Sequence, residues 1–387
     1  MTKSTLTCLA LTTTLATVAC NTSPLGGEGG GSEGGSAQES GSSGGEGLDT
    51  DGGADEGEGA DGSSGGSDDA DLGALACGSV VVVDQVRPRP AVMLVLDKSG
   101  SMAESTWDDD ADPSTPEVTR WHSLHGIVTD LLDARASAMR FGLALFPATQ
   151  ADHHDQDTAC LVADDAEVVP APHSGARVRA LLPAADAEVR GGTPARGGVL
   201  NAIEALSDLA PDRPRAMVLV TDGAANCVPG ADPFYGQYDD ELELALASAH
   251  GELGIPTYVV GVDIGAEPEP STGRDVRADL DRVAQAGGAA SNGAHAYYET
   301  ADGLALRSAL DEIAQRVSCT ITLADMPAPD AVTVRIDGAT LPRVGQCDGA
   351  NGWRAAGPDS IELCGSACEA FEQAGALTAD YACTPVG

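Results

Sequence analysis

The sequence predicts an α/β fold: a doubly wound, mostly parallel sheet, followed by a small β-rich C-terminal module stapled by disulfides. Three observations carry this. Continuously apolar runs such as 91–96 (Ala-Val-Met-Leu-Val-Leu), 140–146 and 216–221 alternate with segments of helical period. Strands without polar alternation are buried on both faces, which is the signature of a parallel sheet covered by helices on either side. Beyond residue 318 the pattern changes, and five cysteines fall within some seventy residues. So short a piece builds little core and relies on cross-links.

The elements follow in order. Residues 79–84 are apolar and β-branched and read as a leading strand or a lead-in. The first strand is 91–96, followed by a loop at 97–102. Apolar residues at 124, 127, 128, 131 and 132 predict a helix over 123–133. A strand follows at 140–146. A helix within 194–209 places Val199, Leu200, Ile203 and Leu206 on one face. After the strand at 216–221, a helix over 241–252 has Leu242, Leu244, Ala245 and Leu246 as its apolar set. A strand at 256–262 and a helix at 304–317, preceded by 296–298, complete the domain. In the C-terminal region, 332–336 and 360–363 alternate like short strands. Asp337-Gly338 is a hairpin signal, and 364–374 opens a short helical stretch.

The first nineteen residues carry one Lys and a mildly apolar, Thr-rich stretch that is too short to span a bilayer. Its end, Thr17-Val-Ala-Cys20, resembles a bacterial lipoprotein signal, with Thr17 standing where that pattern usually has Leu. The resemblance implies a signal peptide at 1–19, lipidation at Cys20 and anchorage in the cell envelope. Asn21 leans the anchor toward the outer membrane. Plain secretion after cleavage at Ala19 is the other reading. Residues 20–76 are rich in Gly, Ser, Glu and Asp and contain no Lys or Arg. Such a segment buries too little apolar surface to offset its chain entropy, and reads as a disordered, self-repelling linker. The expected division is therefore signal 1–19, linker 20–76, α/β domain 77–318 and Cys-rich module 319–387. The formal charge of −39 argues against nucleic acid or anionic lipid as a partner, so any membrane contact runs through the lipid anchor alone.

Three strand-to-helix loops carry hard oxygen donors. They are Asp97-x-Ser99-x-Ser101, Gly191-Gly-Thr193-Pro194 and Thr221-Asp222-Gly223. Strand carboxyl ends of a doubly wound sheet point to one rim, where such loops converge. Each motif is common by itself; the conjunction, with a buried strand ahead of both Asp97 and Asp222, is specific. At this point residues 85–318 resemble the von Willebrand factor type A (VWA) domains, whose fold is Rossmann-like. Asp97, Ser99, Ser101, Thr193 and Asp222 match, residue by residue, the metal-ion-dependent adhesion site (MIDAS) of that family. The resemblance implies that these five hold Mg²⁺, or Mn²⁺ or Ca²⁺ in its place. It also implies that a coordination position is left for an Asp or Glu carboxylate of a partner protein.

Eight cysteines outside the N-terminal segment are disulfide candidates: Cys77, Cys160, Cys227, Cys319, Cys347, Cys364, Cys368 and Cys383. Cys160 and Cys227 both fall in rim-side loops, and a bridge between them is as open as its absence. Five in the C-terminal region is an odd number, which calls for one bridge outward, with Cys77 as a candidate. The polar stretches 107–112 and 153–157 read as solvated loops near the rim, with an added cation site as the alternative. No nucleophile elbow, H-E-x-x-H helix or phosphate loop is present in the sequence, so no enzyme is expected. The expected function is a surface-tethered adhesion or protein-binding lipoprotein. The alternative is an envelope scaffold that makes its contacts through the C-terminal module, with the metal only structural.

Overall fold

The chain enters the described region through β1 (Val80–Val86) and then forms β2 (Ala91–Asp97), whose seven residues are all buried. The computed structural model describes residues 80–86, 89–152, 158–210, 213–228, 237–268, 273–323, 326, 329–347, 349–357 and 360–382. The signal segment, Cys20, the linker, Cys77, Cys383 and the insertion at 153–157 lie outside them. After β2 comes one helical turn, α1 (Ser101–Glu104). A short hairpin of β3 (Thr106–Trp107) and β4 (Val118–Thr119) then leads into α2 (Arg120–Arg135), which Thr119 caps by accepting the His122 N–H. The domain continues through β5 (Arg140–Phe146), α3 (Gly175–Leu181), α4 (Ala195–Ser207) and β6 (Arg215–Thr221). It ends with α5 (Glu241–Leu253), β7 (Thr257–Val262), α6 (Val276–Ala286), β8 (Tyr298–Thr300) and α7 (Gly303–Ser318).

Five strands form one all-parallel sheet in the order β5-β2-β6-β7-β8. Side chains alternate across it, as the strand period requires. Val92, Leu94 and Leu96 pack in one cluster with α2 and α7, while Met93 and Val95 join α4, α5 and α6 on the opposite face. From β2 the chain steps outward to β5, then returns past β2 to β6 and continues the other way. The order therefore reverses between β2 and β6. In open α/β sheets the crevice at such a switch point, outside the strand carboxyl ends, is where ligands bind.

Two helices present different faces from those expected. Leu200 is 48% exposed and Leu244 69% exposed, while Val199, Ala202, Ala205 and Leu206 face the core from α4 and Leu242, Leu246 and Ala249 from α5. One residue turns the helix by about 100°, so Leu200 and Leu244 rotate off the buried stripe, and small alanines fill the close contact instead.

The C-terminal module contains β9 (Thr320–Thr322), β10 (Val332–Ile336), β11 (Ala339–Thr340), β12 (Gly352–Gly357), β13 (Ser360–Cys364), α8 (Ser366–Ala374) and β14 (Ala376–Ala382). β10 and β11 form the expected hairpin, with Asp337 and Gly338 both at positive φ. Val332, Val334 and Ile336 alternate inward onto Trp353 and Phe371. Two bridges staple the module, Cys319–Cys368 and Cys347–Cys364. Its second sheet has the order β1-β14-β10-β11, with β1 paired to β14 over seven residues. By pairing, the stretch read as a lead-in to the parallel sheet belongs to the C-terminal module, which thus takes strands from both ends of the α/β domain. Among the described residues, no helix is long and apolar enough to cross a membrane.

Candidate metal centre

Asp97 is the last residue of β2, and Asp222 follows the last residue of β6, so the two carboxylates flank the switch point. Asp97 is fully buried. Its Oδ1 accepts the Ser99 N–H at 2.8 Å, and its Oδ2 accepts the Thr221 hydroxyl at 2.6 Å. The Ser99 and Ser101 hydroxyl oxygens lie 3.0 Å apart, and the Ser101 hydroxyl donates to Asp222 Oδ1 at 2.7 Å. Four of the five expected donor residues are thus linked in an open chain of hydrogen bonds, which Asp97 joins through the Ser99 backbone N–H.

Thr193 is 4% exposed, and no hydrogen bond among the described residues joins it to the other four; its backbone is held by Asn226 instead. Its N–H donates to Asn226 Oδ1 at 2.9 Å, and its carbonyl accepts the Asn226 N–H at 3.3 Å. The loop ahead of it is pinned from two sides. Gly100 N–H donates to Gly191 O, and Gly192 N–H donates to Ala159 O. Gly191 has φ +108, and a Cβ there would meet Pro147 at 2.6 Å and the Ala159 carbonyl at 2.9 Å, so glycine is required. Cys160 and Cys227 are bridged. The residue before Cys160 holds Gly192, and the residue before Cys227 holds Thr193. The bridge therefore ties together the two supports of the middle loop, which settles the pairing left open by the sequence.

Electrostatics make the site a poor resting place for its own carboxylates. Burial, and then the neighbouring Asp222, push the Asp97 carboxyl up to about 7. Burial likewise raises Asp222, opposed by the Arg120 guanidinium. Lys98 feels the Asp97 charge, which favours its ammonium against burial. Its ammonium is buried, donates to Ala148 O at 2.8 Å, and is drawn down to about 8 by desolvation.

The residues missed by the sequence reading sit around these donors. Arg120, the first residue of α2, donates from Nη1 to Asp222 Oδ2 at 2.8 Å and from Nη2 to Asp263. Asp263 follows β7 as Asp97 ends β2 and Asp222 follows β6, so an Asp at a third strand end was a readable signal. Thr221 and Asn226 orient the ligand loops from behind. Nothing in the sequence marks Arg120. The Asp110 and Asp112 side chains, on the loop between β3 and β4, accept hydrogen bonds from that loop's own backbone and hydroxyls.

The donor chemistry fits a small hard cation. Among the described residues no three His, Cys, Asp or Glu side chains gather in a metal cluster, and the set contains two carboxylates whose remaining companions are hydroxyls. Mg²⁺ takes oxygen ligands, commonly one or two carboxylates completed by neutral oxygens and water. Two buried carboxylates whose charged forms are disfavoured are what such an ion would restore.

No protein-family model and no curated protein matches the chain. Solved structures similar to it include the pilus adhesin SpaC from Lactobacillus rhamnosus GG in an open conformation. That match has 13% identity and a TM-score of 0.43, and covers 79% of this chain but only 41% of the adhesin. A von Willebrand factor type A protein from Catenulispora acidiphila matches at 15% identity and TM-score 0.38, covering 79% of this chain and 65% of that one. A manganese-loaded TRAP protein from Plasmodium vivax matches at 13% identity and TM-score 0.36, covering 60% and 76%. At scores of 0.43 and below, none of these likenesses carries an argument about the site or the function.

Proposed function

We propose that the chain is a non-enzymatic adhesion or protein-binding protein of the cell envelope, exported and lipid-anchored at Cys20. Asp97, Ser99, Ser101, Thr193 and Asp222 would hold Mg²⁺, or Mn²⁺ or Ca²⁺ in its place. Through that ion the chain would take an Asp or Glu side chain of a partner protein. One observation carries the reading: oxygen donors of the loops after β2 and β6 meet at the switch point, around two buried carboxylates whose ionisation is disfavoured. The bound ion would supply positive charge facing the rim. The residues supply its orientation, since Thr221 and the Ser99 N–H fix Asp97, while Ser101 and Arg120 fix Asp222. Three disulfides support an oxidising, exported setting.

Isothermal titration of the full chain with Mg²⁺ and Mn²⁺ tests the metal. Saturable binding is expected, and its absence with both ions would remove the reading. A pull-down from envelope extracts, comparing wild type with Asp222→Ala, tests the grip. Partner recovery should fall with the variant; recovery that ignores it would favour the scaffold alternative.

Arg120 adds a prediction of its own. Its guanidinium holds an Asp222 oxygen and places a positive charge beside the ion's position. Arg120→Ala should therefore tighten Mg²⁺ binding, by about tenfold, or ~1.4 kcal/mol. Titration calorimetry reads this directly. Weaker binding in the variant would mean that the hold of Arg120 on Asp222 outweighs its repulsion of the ion.

A further inference from the structure

Opposite the metal rim, at the amino ends of β6 and β7, the domain meets the C-terminal module around a cavity of about 370 Å³. Its walls bring together Arg213, Arg215, Arg316 and Arg354, with His250 beside them. Those are four of only 21 Lys and Arg in a chain with 60 acidic residues. Two acids share the lining, Glu252 and Glu362. The pole is therefore locally basic on a molecule that is otherwise strongly acidic.

The arginines are not matched one to one by carboxylates. Glu362 is 3% exposed and receives both Arg316 and Arg354, so one buried carboxylate serves two guanidiniums. Arg316 also donates to the Tyr298 hydroxyl and the Ala290 carbonyl, and lies over the Tyr258 ring, 5.2 Å from its centroid. Arg215 donates to two carbonyls, Leu206 O at 3.3 Å and Leu253 O at 2.6 Å, and forms no ion pair among the described residues. Burial draws its pKa down, as expected for a cation held away from water without a counter-charge. Among the described residues, the Arg213 side chain reaches the Arg89 carbonyl, at 3.3 Å, and its charge together with that of Arg89 bears on Arg140 nearby. Rigidly held guanidiniums with spare N–H donors, converging on a concave site, are the usual means of binding carboxylate, sulfate or phosphate. The volume lies within the range of small-molecule sites.

We infer that this cavity is a second binding site, for a small organic or inorganic oxyanion, with Arg215, Arg316 and Arg354 as its anchoring cations and Arg213 at its mouth. It is separate from the metal rim, at the other end of the sheet, and does not depend on the metal reading. The anion would bridge the α/β domain, through Arg215 and Arg316, to the module, through Arg354.

Titration of the full chain with citrate, glucuronate, inorganic phosphate and sulfate, after divalent ions and then chelator have been dialysed away, tests this. Glucose serves as the uncharged counterpart of glucuronate. At least one oxyanion should bind saturably, glucose should not, and the preferred probe tells carboxylate from phosphate or sulfate. Arg354→Gln should weaken binding at least tenfold. Arg213→Gln, at a side chain with a single weak contact, should weaken it several-fold with an unchanged melting temperature, which keeps the test valid if the Arg354 variant fails to fold. Asp97→Asn should leave it unchanged. Absence of saturation with every oxyanion up to about 10 mM would overturn the proposal and leave the arginines as an inter-module clamp. Binding by both arginine variants as tight as that of wild type would overturn it as well.

Discussion

Asp97→Asn is expected to erase Mg²⁺ binding while leaving the ion-free chain at least as stable as wild type. The two halves of that result have one cause. The Asp97 carboxylate is fully buried, faces Asp222, and its charged form is disfavoured enough to push its pKa to about 7. Asn keeps the shape, retains an oxygen for the Ser99 N–H, and presents an amide to the Thr221 hydroxyl, which then accepts. It removes a buried charge whose desolvation outweighs what its neighbours return, and such removals are neutral or stabilising when hydrogen bonds survive. The gain from the ion disappears with it. Wild type at a hundredfold excess over Kd should be stabilised by about 2.7 kcal/mol, and the variant by none. Thermal unfolding of both chains, with and without Mg²⁺, measures both halves together. A variant that keeps its Mg²⁺-dependent shift would place the ion elsewhere.

Removing the Cys160–Cys227 bridge, as a double Ser variant, should cost about 4 kcal/mol of stability and weaken Mg²⁺ binding as well. The first figure follows from loop-closure entropy over a sequence separation of 67. The second follows from where the bridge lies. Ala159 and Asn226, each one residue from a bridged cysteine, hold Gly192 and Thr193 by their backbones. Once the bridge is opened, the middle ligand loop loses its common brace. The Cys347–Cys364 pair supplies the control. Its separation of 17 predicts a loss of about 3 kcal/mol, but it lies in the module, so Mg²⁺ affinity should not change. Denaturant unfolding and calorimetry on the two variants separate a brace from a general staple. Equal metal affinity in both would assign the rim bridge to stability alone.

What could be read from the chain depended on whether the signal was local. β2, β5, β6 and β7 were legible because a strand buried on both faces has no polar residue to break its run, and the two Asp-bearing loops were legible because they end such runs. Helix faces were less so. Leu200 and Leu244 look like core residues, yet alanines on neighbouring turns do the packing where helix and sheet approach closely. α6, with Val276, Leu280 and Val283 spaced along one face behind an Asp275 cap, carried a signal that went unread. The remainder was long-range. Arg120 reaches Asp222 across 102 residues, and β14 pairs with β1 nearly three hundred residues earlier. No window of sequence contains such contacts.

The β1–β14 ladder gives the molecule a mechanical order that differs from its order in sequence. The chain arriving at Val80 must pass through β1 before it reaches β2, and β1 is held by seven residue pairs to the last strand described. Load pulled in from that side is met by this ladder, and by the stapled module behind it, before it reaches the strand that ends at Asp97. The C-terminal module is therefore less an appendage than a mount. Were the chain held from ahead of Val80, the module would take up strain before the strand ending at Asp97 did.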